Sequence, residues 1–112
     1  KLKIILAHGG GFFPYQVGRF DQAYNNVVDT RAVAAQPPSA YLKRFSYDSI
    51  VNHSGSIRFL VDLVGVDNIV LGTDYPFPVG DLDPLQTLGK TRLTHDEVTK
   101  ISEGNARLLF NL

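Results

Sequence analysis

Two residues in this 112-residue chain combine a reactive side chain with a position that could use it. His8 ends the apolar run of residues 3–7 and is followed at once by Gly9, Gly10 and Gly11; Asp74 ends a second run, Ile69-Val70-Leu71-Gly72-Thr73. In parallel α/β architectures catalytic groups gather at the carboxyl ends of strands, because the strand-to-helix loops converge there. An aspartate at such a place can be a hard metal ligand, and a neutral imidazole can be a ligand or a proton carrier. The plainer readings are a histidine hydrogen-bonded within a tight loop, and an Asx-turn or cap at Asp74 ahead of Tyr75-Pro76. Two groups alone do not hold a catalytic metal, which usually has three protein ligands.

Other residues add weaker signals. Arg19 lies eleven positions after His8; a guanidinium near a catalytic loop suits bidentate capture of a carboxylate, and otherwise it is a solvated helix residue. His53 precedes a helix and His95 falls within a capping box, so both read as surface residues. Asp48, in mid-strand, reads as a structural carboxylate or one that supports a site from behind. Tyr75 and Phe77 line a pocket or pack beneath their loop. The triple glycine could cradle phosphate on exposed N–H groups. It fits neither phosphate-loop spacing, and an esterase oxyanion loop would need a G-x-S-x-G elbow that this chain lacks.

The elements that must position these residues alternate. Residues 3–7 form a continuous apolar run, which suits a strand covered on both faces. Pro14 fits a first helical turn, and Tyr15, Phe20, Ala23, Tyr24, Val27 and Val28 recur at helical spacing to about residue 29. A loop comes next, to Pro37-Pro38, then a short turn over 40–43 capped by Ser39. Residues 45–51 form the second strand. Ser54 or Ser56 caps a helix whose apolar face is Ile57, Leu60, Val61 and Val64, and Gly65 stops it. Residues 69–73 form the third strand, and 79–93 a long loop. Thr94-His95-Asp96-Glu97 has the form of a capping box opening a helix to about 103. Gly104 interrupts it, and Asn105 caps a last turn, 106–110. Strand and helix alternate three times, which predicts α/β with parallel strands and right-handed crossovers. Three parallel strands leave two open edges, so the arrangement suits a slice of a larger barrel or doubly wound sheet.

Composition narrows the functions. Eleven basic and eleven acidic residues cancel, so bulk charge favours neither nucleic acid nor an anionic membrane. No apolar run reaches the roughly 18 residues of a membrane span, and the opening apolar stretch is too short for a signal peptide. Without cysteine there is no disulfide framework or thiolate metal site, and a cytoplasmic location is the default expectation. The chain has no methionine and enters a strand almost at once, which predicts a part of a longer protein.

Three stretches together carry a resemblance: His8-Gly-Gly-Gly-Phe-Phe-Pro-Tyr-Gln-Val-Gly-Arg19, Leu71-Gly-Thr-Asp74-Tyr-Pro-Phe-Pro, and Glu103-Gly-Asn-Ala-Arg-Leu-Leu-Phe110. They resemble the carboxy-terminal third of the amidohydrolase-related decarboxylases. The resemblance implies a distorted TIM (β/α)8 barrel, with residues 1–112 as a partial domain supplying strands six, seven and eight. It implies one divalent metal, usually zinc, bound in part by Asp74, with His8 carrying the proton of a metal-bound water. It implies that Arg19 reaches a substrate carboxylate in the neighbouring subunit of a homodimer. The implied reaction is non-oxidative decarboxylation of a small carboxylate, muconate-semialdehyde-like or aromatic. A metal-dependent hydrolase of the same superfamily is the alternative, and a non-catalytic α/β fragment paired with another chain is a third. The family's H-x-H pair and strand-five histidine have no counterpart here, so the chain alone is expected to hold no tight metal and to be inactive.

Overall fold

The computed structural model describes residues 2–112. Three short strands form one parallel sheet in the order β1-β2-β3: β1 is Ile5–Leu6, β2 is Ser46–Asp48 and β3 is Ile69–Val70. Ile5 pairs with Ser46, and Tyr47 with Ile69, so β2 is central and the others lie at the edges. The α/β class and parallel pairing agree with the sequence pattern. The strands are shorter than expected, because backbone groups leave the sheet at their carboxyl ends. The Leu71 N–H donates to Ile101 O at 3.0 Å and the Gly72 N–H to Ser49 Oγ at 3.2 Å. β1 is not covered on both faces either: Ile4 and Ile5 are 39% and 37% exposed, as befits an edge strand.

Helix α1 spans Phe12–Asn26, with Pro14 in its first turn, and a 3₁₀ turn over Val28–Arg31 comes after it. A second 3₁₀ segment, Pro38–Arg44, begins after Pro37 rather than on a Ser39 cap; the Ser39 N–H donates to Asp21 Oδ1 instead. Helix α2, Ser54–Val64, buries Ile57, Leu60, Val61 and Val64, the expected face, and ends at Gly65 with φ 88°. Its cap is His53, not a serine: Nδ1 accepts the Ser56 N–H at 3.3 Å.

The expected loop over 79–93 contains α3, Pro84–Gly89, whose first turn is capped by the Asp83 carboxylate. The capping box at Thr94 and Glu97 is present with both hydrogen bonds and opens α4, His95–Thr99. Neither Gly104 nor Asn105 breaks the helical path. A π-helical turn over Lys100–Gly104 leads into α5, Asn105–Phe110, and both residues keep right-handed helical dihedrals. Asn105 is buried, and its Nδ2 donates to Val66 O and Ile69 O, fastening this helix to β3. Tyr47, Ile57, Val64, Ile69, Leu88 and Ile101, all essentially inaccessible, form the core between sheet and helices. Among the described residues no helix is long and apolar enough to cross a membrane.

Candidate active site

His8 comes one residue after β1 ends, beyond Ala7, and has φ 54°; Gly9, Gly10 and Gly11 continue at 61°, 78° and 55°. Four successive residues at positive φ make a tight turn that glycine tolerates and histidine adopts only at a cost. Crowding demands glycine as well. A Cβ on Gly9 would lie 2.5 Å from Val51 Cγ1, and one on Gly10 would lie 2.8 Å from the Tyr47 ring.

All four N–H groups of this turn are already engaged. Those of His8 and Gly9 donate to Asp48 Oδ2 and Oδ1, each at 2.9 Å; those of Gly10 and Gly11 donate to Ala7 O and His8 O. With no spare donor and a carboxylate behind it, the loop can serve neither as a phosphate cradle nor as an oxyanion hole. Asp48 thus ties the turn after β1 to the end of β2. The His8 side chain is exposed and lines a cavity of about 450 Å³ between the first turns of α1 and α2. Pro14, Tyr15, Val51 and Phe59 give that cavity an apolar wall, and His53 adds a second imidazole. His53 is at the surface, as expected, but it is not idle. It is exposed, yet it both caps α2 and faces this cavity. His95 is a surface residue, as expected.

Asp74 stands four residues beyond β3, half-buried, with φ 59°. The Asx-turn reading fails on chemistry. Its acceptor would need an N–H two residues on, where Pro76 has none, and the Phe77 N–H donates to the Asp74 main-chain oxygen at 2.9 Å. The Tyr75 N–H goes to Thr73 Oγ1 at 3.3 Å. The carboxylate is thus left without a local donor, the condition under which a hard cation fits it. The surrounding loop closes on itself through the Asp81 N–H to Thr73 O at 2.9 Å, and Asn52 Nδ2 ties it to the β2 loop at Val79 O, 2.7 Å. Tyr75 and Phe77 are 78% and 61% exposed and pack under nothing.

His8 and Asp74 thus lie beyond the same end of the sheet, past two strands that β2 holds about 10 Å apart at the spacing of paired strands. Arg19 is not brought to them. It lies exposed at mid-α1, about 10 Å along the helix axis from Phe12. Among the described residues, no three His, Cys, Asp or Glu side chains converge as a metal shell.

A parallel sheet with a histidine turn and an aspartate beyond its carboxyl end is the setting in which parallel α/β proteins gather their functional groups. The family profile for amidohydrolases matches residues 1–112, and the chain belongs to that family. It is 41% identical over 109 residues to 2-amino-3-carboxymuconate-6-semialdehyde decarboxylase of Dictyostelium discoideum, covering 95% of this chain and 30% of that protein. The corresponding enzyme of Caenorhabditis elegans is 33% identical over 99% of this chain and 30% of its own length. Among solved structures, a dihydroxybenzoic acid decarboxylase of Polaromonas sp. with bound manganese and the inhibitor 2-nitroresorcinol superposes with a TM-score of 0.83 at 28% identity. That match covers 99% of this chain and 34% of the Polaromonas chain. The chain thus spans about a third of the length of the relatives it matches.

Proposed function

We propose that residues 1–112 are strands six to eight, with their helices, of a distorted (β/α)8 barrel, and that the whole protein is a metal-dependent, non-oxidative decarboxylase of a small unsaturated or aromatic carboxylate. The observation that carries this reading is the 41% identity to a semialdehyde decarboxylase along nearly the full chain. In the reaction the C–C bond to the carboxylate breaks, CO2 leaves, and the electron pair left on carbon takes a proton. His8, protonated from solvent before the C–C bond breaks, delivers that proton from the turn after β1 and is left neutral. Asp74, whose carboxylate has no competing local donor, is a ligand to one divalent cation, zinc or manganese. When bound, such a cation acidifies water and polarises substrate oxygens. The remaining ligands come from outside these 112 residues. Arg19, exposed and distant from His8 in its own chain, grips the substrate carboxylate of a neighbouring subunit in a homodimer.

The test uses the full-length protein, loaded separately with zinc and manganese. Each form is offered 2-amino-3-carboxymuconate-6-semialdehyde and, in parallel, 2,6-dihydroxybenzoate. Release of CO2 from either supports the reading; hydrolysis or hydration without CO2 moves the protein to the hydrolase alternative. Replacement His8→Asn should slow turnover by about 10²–10⁴-fold, the usual worth of a general acid–base group, with the metal retained. Mixing His8→Asn subunits with Arg19→Ala subunits should restore part of the activity, since one site of each mixed dimer then has both groups. No recovery would place Arg19 outside the neighbour's site.

A further inference from the structure

We infer that Asp48 is the positioning residue for His8: its carboxylate holds the left-handed turn that presents the imidazole to the cavity. This rests on the reading of His8 as the proton carrier.

Asp48 ends the central strand, β2, and is only 8% exposed. A carboxylate buried there without partners would be strongly unfavourable. It is instead matched to three N–H donors. Oδ2 accepts from His8 at 2.9 Å, and Oδ1 accepts from Gly9 at 2.9 Å and from Ile50 at 3.0 Å. Two of these donors are consecutive amides about forty residues away in sequence. Gripping both with separate oxygens holds the two peptide planes on either side of the His8 Cα, and so the φ and ψ of His8. The Ile50 bond anchors the carboxylate to the backbone just beyond its own strand, so the grip is referred to the end of the central strand.

The turn needs such a restraint. His8 has no intrinsic preference for φ 54°, and the glycines after it would readily adopt other conformations in a free chain. If φ of His8 relaxed to the ordinary negative range, the Cα–Cβ direction would swing and the ring would leave the cavity wall. Val51 crowds Gly9 so closely that an added Cβ would meet its Cγ1 at 2.5 Å, which leaves the turn little room inwards; Asp48 stops it from lifting away. Asp48 is not part of the cavity wall, so it acts through His8 and not on substrate.

The charge state also matters. Asparagine in place of Asp48 keeps the shape but turns an NH2 group towards one of the two amides, so donor meets donor. Asp48→Asn should therefore lower kcat of the metal-loaded full-length enzyme by about 10²-fold, as for a reacting group misplaced by roughly 1 Å. KM for 2-amino-3-carboxymuconate-6-semialdehyde and metal content should stay at wild-type values. Amide hydrogen exchange at His8 and Gly9 should accelerate. Asp48→Glu, which keeps the charge but pushes the grip out by one methylene, should lose less than the asparagine variant. An unchanged kcat in Asp48→Asn would overturn the inference. So would a parallel fall of kcat, KM performance, metal content and melting temperature, which is the mark of a merely structural residue. If the asparagine variant does not fold, Asp48→Glu decides: wild-type kcat in that variant overturns the inference, and a lowered kcat at unchanged KM supports it. Failure of the underlying reading shows separately, as full turnover in His8→Ala; the exchange rates would still report whether Asp48 holds the turn.

Discussion

The carboxyl ends of β1 and β3 solve one problem in opposite ways. Each carries a polar residue in the left-handed region, His8 at φ 54° and Asp74 at φ 59°. At β1 the restraint comes from a side chain, the Asp48 carboxylate, and every amide of the turn is consumed. At β3 the restraint comes from the backbone of a self-closing loop, Asp81 to Thr73 and Phe77 to Asp74, and the carboxylate is left free. The difference matches the tasks proposed. A proton carrier must be aimed, so its backbone is fixed from behind; a ligand must be available, so local donors are withheld from it.

The largest effect is expected at Asp74. Asp74→Ala in the full-length protein should abolish stoichiometric metal and reduce turnover on the order of 10³-fold, about 4 kcal/mol of transition-state stabilisation. Metal analysis beside the rate decides, and undiminished metal removes the ligand assignment. At the other strand end Gly10→Ala should act on the fold instead. Its Cβ would press on the Tyr47 ring at 2.8 Å and on Pro14 at 3.0 Å, at φ 78°. A loss of about 2–3 kcal/mol in denaturant unfolding is expected from strain and overpacking; a smaller loss would mean that the turn is less confined than its contacts imply.

The smallest effect sits between the two ends. Tyr47, fully buried on β2, donates its hydroxyl to Leu42 O at 2.8 Å, and burial pushes its pKa from 10.0 up to about 12. The unfolded chain therefore loses this proton first as pH rises, and stability falls between pH 10 and 12. Tyr47→Phe should cost about 1 kcal/mol at neutral pH for the lost hydrogen bond and should flatten that alkaline decline. Unfolding curves at pH 7 and above pH 10 test both, and an equally steep decline in the variant would assign it to another group.

Where one face of one element decides the outcome, the sequence is readable. The spacing of Ile57, Leu60, Val61 and Val64 is a helical stripe, and Gly65 and the Thr94–Glu97 box mark ends by local chemistry alone. Asp83-Pro84 carries a helix start as well, but Gly80, Pro84 and Gly89 together look like breakers and hide α3. His53 does not stand out as a cap because imidazole is a rare N-cap acceptor. Gly104 and Asn105 suggest a break, whereas the asparagine's donors are spent on the β3 strand and its approach, a tertiary contact invisible to local pattern. Of the candidate site, the histidine turn and the aspartate stand out from their flanking runs. That Asp74 could not form an Asx-turn is also legible, since Pro76 lacks an N–H. The Asp48 grip is not, because its partners lie about forty residues away.

That same asparagine sets a limit on how the molecule ages. The Asn105 amide is buried, with Nδ2 at 2.8 Å and 2.7 Å from two carbonyl oxygens. Deamidation would change one atom and add one charge. It would leave an anion facing two acceptors, with no proton to offer either and little solvent to shield it. One hydrolysed amide would thus detach the carboxy-terminal helix from β3, and the strand end that carries Asp74 would lose its brace.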